Sequence, residues 1–400
     1  MQIIYLAIVF LVIIGLMAFR RPLYQAVLGG LLVTALLYRI PVAEAGRRTM
    51  MVITNWTSCS VLVTFYLITF LQRILESRKQ IKLAEQDLDR IFHNRRINTG
   101  GTPLFIGLLP SAASMILCSD IVKDATRGYL NPKEQAFVAS WFRHIPESTL
   151  PTYTGVLLML SLSGVPISQF MVGMIIPVIV LVLLGYLPYL RKLPKNPGTP
   201  KSNSRAKDVL HLFQHLWSLL LILVLILGFN VSVVSSTLIS IVASILIYRV
   251  KPGELSVMFR SAFEKKLLGN TFLVLVLKEF IAYTGVLALL PDIMANLPLP
   301  TYLVFALLFF AATVISGTTG AIAMATPLAF AAIPGGMPLM VYLMCICHAA
   351  SQLSPTHVCL VVASDYFDVT LGELIRKTLP MSLIFCGLMT VYYNVLLLLW

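Results

Sequence analysis

Charge is what this 400-residue chain has least of: Asp, Glu, Lys and Arg together supply 12% of it, against 58% hydrophobic residues. Acidic side chains are the scarcer sign, 17 against 30 basic ones. At a mean hydropathy of +0.88, no soluble globular domain of this size stays in solution, so the composition reads as membrane protein throughout. Catalytic signatures are missing too. No His-Glu-x-x-His, no Gly-x-Ser-x-Gly elbow and no paired aspartates fall in the apolar segments, so hydrolysis lacks its usual groups. Cys59, Cys118, Cys345, Cys347, Cys359 and Cys386 all lie in apolar segments and read as buried small hydrophobes. The Cys345-x-Cys347 spacing suits neither a zinc knuckle nor a thioredoxin-like pair, so no metal site is expected there.

What is present is apolar length. Runs such as Ile3–Phe19, Phe170–Leu190, Leu210–Phe229 and Val231–Tyr248 reach or approach the ~20 residues that cross a bilayer. The first run has no basic residue before it and Arg20-Arg21 after it, which predicts a retained span rather than a removable signal peptide. A formal charge of +13 would suggest nucleic acid in a soluble protein. Here the basic residues cluster between apolar runs, where cytoplasmic loops belong, so the expected partner is the lipid bilayer and not nucleic acid.

Apolar length and helix breakers divide the chain into two halves of one plan. In residues 1–190, spans are expected near 2–19, 22–38 and 49–72, then an interfacial helix over Arg73–Asn98. The segment Thr99–Arg127 is apolar but broken by Gly100-Gly101, Gly107 and Pro110-Ser111, the pattern of a re-entrant hairpin with its tip near Pro110–Ser114. Residues 132–165 read as a helix unwound at Pro146 and Pro151, and an unbroken span over 167–190 closes the half. A solvated cytoplasmic linker, 191–208, follows. The second half, 209–400, repeats the order: spans near 209–229, 231–248 and 269–290, a hairpin over 298–334, a broken helix over 337–367 and a last span over 378–399. His144, Pro151 and Thr152 match His348, Pro355 and Thr356 at one offset of 204 (348 − 144, 355 − 151, 356 − 152).

The fold class expected is therefore an all-α polytopic membrane protein of about ten transmembrane spans, two re-entrant hairpins and two broken helices. Five spans per half turn the second half over, making the repeats inverted. With both termini outside an inner (plasma) membrane, 25 of the 30 Lys and Arg fall in cytoplasmic segments. Arg39, Arg47 and Arg48 then lie outside, and Arg143 and Lys278 within the membrane, an asymmetry that fits the positive-inside rule.

Broken helices expose backbone N–H and C=O groups and helix-end partial charges at mid-membrane, so the breaks are where a solute and a coupling ion would bind. Ser111 and Ser114 at the first tip, with Thr318 and Thr319 at the second, are candidate ligand contacts. Small hydroxyls there equally allow tight helix packing. Ser148, Thr152, Ser351, Gln352 and Thr356 line the two unwound stretches. Glu147, one residue past Pro146, costs several kcal/mol in hydrocarbon unless paired, protonated or bound to a cation. It is the candidate carrier of a proton or sodium ion, with His144 and His348 as partners, or else a structural ion pair to Arg143. Arg143 can face an anionic group with its planar fork, or snorkel if it lies nearer the surface. Lys278-Glu279 reads as gating or scaffold polarity.

The run Trp141-Phe142-Arg143-His144-Ile145-Pro146-Glu147 with Leu150-Pro151, preceded by Leu109-Pro110 and followed later by Ser354-Pro355-Thr356-His357-Val358-Cys359-Leu360, resembles the integral membrane proteins of domain-of-unknown-function family 401. That family looks related to the ion transporter superfamily of gluconate, citrate and dicarboxylate permeases. The resemblance covers essentially the whole chain. It implies two hairpins, interfacial arm helices, a homodimeric scaffold and elevator-like movement. The family's glycine-rich first tip is replaced here by Pro110-Ser111-Ala112-Ala113, so a substrate does not carry over.

The expected function is secondary transport of a small organic anion, a carboxylate or sugar acid, coupled to sodium or protons, with no other cofactor. A channel would rather build its pore from simple repeats than from two inverted halves with paired hairpins. An intramembrane enzyme acting on a lipid or small molecule is the other class, and would turn over its substrate in detergent.

Overall fold

The computed structural model describes residues 2–19, 21–107, 113–151, 153–196, 204–229, 231–289, 298–355 and 357–400. Among these the chain is helical, with no strand. In order, the helices are α1 (Gln2–Ala18), α2 (Leu23–Leu37), α3 (Val42–Thr54), α4 (Trp56–Ser77), α5 (Gln80–Phe92), α6 (Arg95–Ile106), α7 (Ala113–Thr126), α8 (Pro132–His144), α9 (Thr154–Ser163), α10 (Ile167–Gly173) and α11 (Ile175–Tyr186). After the linker come α12 (Arg205–Phe229), α13 (Val233–Ile247), α14 (Pro252–Ser261), α15 (Lys265–Thr284), α16 (Thr301–Ala332), α17 (Gly336–Ser351), α18 (Val358–Tyr366) and α19 (Leu371–Leu399).

Among the described residues, four segments are long and apolar enough to cross a membrane: Ser58–Ser77, Ile167–Tyr186, Arg205–Ile226 and Leu371–Leu399. The other apolar helices are shorter, because breakers divide them. Asn55, in extended backbone, separates α3 from α4, so the span expected over 49–72 lies lower, at 56–77. The interfacial stretch shrinks accordingly to α5, and Asn98 is buried inside α6, whose start is capped by the Asn94 side chain on the Arg96 N–H. The span expected over 167–190 is present as Ile167–Tyr186, its helical bonds continuing through Met174 (to Phe170 and from Val178, 2.9 and 3.0 Å). The last helix starts at Leu371 rather than near 378. Thr370 and Glu373 form a capping box there, an N-terminal signal that outweighs the low hydropathy of Arg376-Lys377.

A second capping box, Asn131 with Glu134, starts α8, with Pro132 in its first turn where a missing N–H costs nothing. The two boxes lie side by side. Lys133 Nζ is 2.8 Å from Glu373 Oε1 and Lys377 Nζ 3.9 Å from Glu134 Oε1, tying the exposed ends of α8 and α19 together.

The order of elements recurs. Helices α8, α9 and α10 begin at 132, 154 and 167, and α17, α18 and α19 begin at 336, 358 and 371, each 204 later (336 − 132, 358 − 154, 371 − 167). Helices α2 and α3 begin at 23 and 42, and α13 and α14 at 233 and 252, each 210 later (233 − 23, 252 − 42). The endings match as well. Tyr38-Arg39-Ile40 closes α2 and Tyr248-Arg249-Val250 closes α13, with the arginine left-handed in both (φ 52° and 47°). Ile40 donates to the Ala35 carbonyl at 2.9 Å and Val250 to that of Ile245 at 3.0 Å, the wrapped-back bond that closes a helix at a left-handed residue. Arginine in that conformation is unusual enough to mark a shared local design.

Helices α6 and α7 pack on each other and on α8, α16 packs on α9 and α17, and α18 packs on α7, α8 and α19. The interior at this junction is dense: every residue from Ala136 to Ile145 and from Met337 to Leu353 is buried. The two broken stretches therefore lie in one buried junction, α6 and α7 beside α8, and α16 beside α17.

Candidate functional site

The first break runs from Ile145 to Tyr153. Pro146 ends the α-helical hydrogen bonding and starts a single 3₁₀ turn, Pro146–Ser148, before α9 resumes at Thr154. The second break runs from Gln352 to His357, after which Val358 starts α18. In α16 the chain also departs from helix at Gly317, with φ 77° and ψ 166°. Only glycine adopts that conformation readily, which locates the interruption at the predicted second tip.

Glu147 is where the breaks meet. Its carboxylate takes a hydrogen bond from Arg143 Nη1 at 3.2 Å. His144 Nε2 lies 3.7 Å from Oε2 of the same carboxylate, and His357 Nε2, from the second break, 3.8 Å from Oε1. Arg143 and His144 are fully buried, while 28% of the Glu147 side chain stays accessible. The rings of His144 and His357 meet edge to face, 4.6 Å between centroids.

The tautomer of His144 follows from its other nitrogen. Nδ1 is 2.6 Å from the Ser140 carbonyl oxygen, which can only accept, so Nδ1 carries the hydrogen. In the neutral ring Nε2 is then a lone pair facing a carboxylate oxygen, two acceptors across 3.7 Å. That gap suits a proton or a small cation. His144, His357 and Cys359 also bring one ligand atom each within 4.8 Å of one another, a soft donor set for a metal ion. The buried guanidinium on Glu147 already neutralises that carboxylate, which weighs against a divalent ion there and favours a single proton or a monovalent ion.

His348 does not reach Glu147. Its Nδ1 meets Ser148 Oγ at 2.8 Å, joining the two breaks by a second bond. Ser351 is taken up by its own helix, donating to the His348 carbonyl at 2.8 Å. Gln352 is buried, with neither end of its amide hydrogen-bonded among the described residues; such a group calls for a ligand or water to satisfy it. Thr318 lies against Gly155 at the start of α9, and Thr319 is half-buried beside it. Ser111, Thr152 and Thr356 fall outside the described residues, as does the Ser114 side chain. Glu279 pairs not with its neighbour Lys278 but with Arg48 of α3, 4.0 Å away, because adjacent helical residues point apart.

Sequence reasoning assigned no site role to His357 or Tyr153, and marked Gly107 only as a break in the expected hairpin. His357 and Tyr153 stand at the same offset of 204 (357 − 153), and each is the capping residue of its second half-helix. Because the residue type changed from one half to the other, a search for matching residues missed both. The Tyr153 hydroxyl donates to the Gly107 carbonyl at the end of α6. A Cβ on Gly107 would clash with the Arg143 carbonyl oxygen, so only glycine lets the end of α6 lie against the break. Gly107→Ala is expected to destabilise the protein by about 1–3 kcal/mol, read as a lower thermal midpoint. Gly101→Ala, inside α6 with nothing within 4 Å, should leave the midpoint unchanged or raise it slightly, since alanine favours a helix interior over glycine.

Comparison with curated proteins finds no match to this chain. The sequence pattern of the family described as "Protein of unknown function (DUF401)" matches residues 3–396. With nearly its whole length inside that pattern, the chain belongs to the DUF401 family.

Proposed function

We propose that this protein is a secondary transporter that moves a small organic anion, a carboxylate or sugar acid, across a membrane by alternating access, coupled to a proton or sodium ion. Its halves are read as inverted repeats, each with a hairpin and a broken helix, in an inner membrane with both termini outside. The observation that carries the reading is the convergence of Arg143, His144 and His357 on Glu147, where the two broken stretches meet. A buried guanidinium offers a fork for a carboxylate. The acceptor pair His144 Nε2 and Glu147 offers a place for the coupling proton, and Gln352 and Ser148 offer neutral hydrogen bonds to a sugar acid's hydroxyls. The recurring order of helices supports the repeat, and the Tyr-Arg endings of α2 and α13 support it independently.

The experiment is thermal stabilisation of the purified protein against carboxylates and sugar acids, each with and without sodium and at two pH values. A ligand that binds only the folded state raises its stability by RT ln(1 + [L]/Kd). A carboxylate that stabilises only with sodium, or only at the lower pH, is the expected result and names the coupling ion. No shift with any acid overturns the anion reading.

A further inference from the structure

At the cytoplasmic edge expected from the charge pattern, α5 packs along the start of α12 through Ala84, Leu212 and Leu216. Just above this apolar seam, four ionisable side chains converge. Asp208, His211 and His215 stand on α12 at spacings of three and four, which puts them on one face of the helix. Asp87 faces them from α5. One ligand atom each of Asp87, Asp208 and His211 lies within 4.8 Å of the others. His215 Nδ1 is 2.6 Å from Asp87 Oδ2. Asp87 and Asp208 are buried, and His211 is exposed at the rim.

From this geometry we infer a binding site for a divalent transition-metal ion of the zinc type, held by Asp87, Asp208 and His211, with His215 orienting Asp87. The donor set is right for the class: imidazole and carboxylate ligands suit zinc, and three protein ligands with one open side form the usual tetrahedral set. Metal–ligand bonds of about 2.0–2.2 Å need the three atoms to draw in from their present separation. Side-chain rotation allows this, since His211 is exposed at the surface and Asp208 lies in the first turn of α12. A histidine donating to a ligating carboxylate fixes which oxygen faces the ion. A simple helix pair needs less than this. Asp208 at a helix N-terminus and one Asp87–His215 bond would serve stability alone, and neither calls for His211 beside both carboxylates. Bound metal would clamp α5 to α12. The inference stands on these residues only and not on the transport reading.

The test uses the full chain, purified without a polyhistidine tag and stripped with EDTA, titrated with Zn²⁺ and separately with Co²⁺. One ion per chain is expected, with a raised thermal midpoint and a Co²⁺ visible spectrum. His211→Ala, at an exposed rim position that should not disturb folding, is expected to weaken Zn²⁺ binding at least about tenfold and to remove the midpoint shift. Asp87→Asn should do the same where it folds, while His357→Ala should bind as the parent does. The inference is overturned if the parent takes up no stoichiometric ion, if His211→Ala binds unchanged, or if binding is lost in His357→Ala instead.

Discussion

Glu147→Gln should reduce ion-coupled uptake in proteoliposomes to background while the protein still folds. Gln has nearly the same shape, and its carbonyl can still accept the Arg143 hydrogen bond seen at 3.2 Å. What it cannot do is change charge, and with its oxygen in the Oε2 place it sets an amide NH2 where His357 Nε2 now faces Oε1 at 3.8 Å. Binding and coupling are therefore expected to separate. The variant should keep anion-induced thermal stabilisation but lose its dependence on pH or sodium. Uptake that keeps the parent's ion dependence would remove Glu147 from the coupling role and leave it a structural partner of Arg143.

The second large effect is expected at Arg143, whose guanidinium is among the largest fully buried side chains of the protein. Arg143→Gln leaves Glu147 without its cation, and breaking such a pair from one side costs about 3–5 kcal/mol where both groups are buried. Glu147 keeps partial access, so the lower end applies. The double variant with Glu147→Gln should be less destabilised than the two single losses added together, since neither charge is then stranded. Arg143→Lys separates charge from shape. It keeps the cation but loses the planar fork. A charge-assisted hydrogen bond of about 1.5–3 kcal/mol is lost, which at 1.4 kcal/mol per decade is roughly a 10–100-fold weaker anion affinity. Equal affinity in Arg143→Lys would mean the ligand does not meet the fork.

Much of this was legible in the sequence because helix breakers are local. Pro146 marks a break whatever surrounds it, Gly317 sits where only glycine is easy, and the 204-residue offset ties His144 to His348 without a structure. Glu147 stood out for the same reason, as a carboxylate with no cheap place in hydrocarbon. The boundaries that moved were those set by hydropathy alone. Capping at Thr370 and extended backbone at Asn55 decide where a helix starts, and neither changes the apolar count of a window. Partners were the least legible. His348 looked like the equal of His144, yet it joins Ser148 while His357 reaches Glu147, because which side chain crosses a gap depends on how two breaks are rotated against each other. The Asp87 cluster was invisible for a similar reason: α5 and α12 are separated by more than a hundred residues, and only packing brings them together.

The offset that aligns the halves places Cys347 opposite Arg143 (347 − 143) and Ser351 opposite Glu147 (351 − 147). The charged pair thus belongs to one half, and its neutral counterpart to the other. An arginine and a glutamate held together carry no net charge. On the transport reading, an empty site would cross the membrane field without doing electrical work. All voltage dependence would then fall on the loaded step, at about 2.3 kcal/mol per elementary charge per 100 mV. A monovalent anion carried with one proton would pass without current, and any current measured would count the surplus charge of the cargo directly.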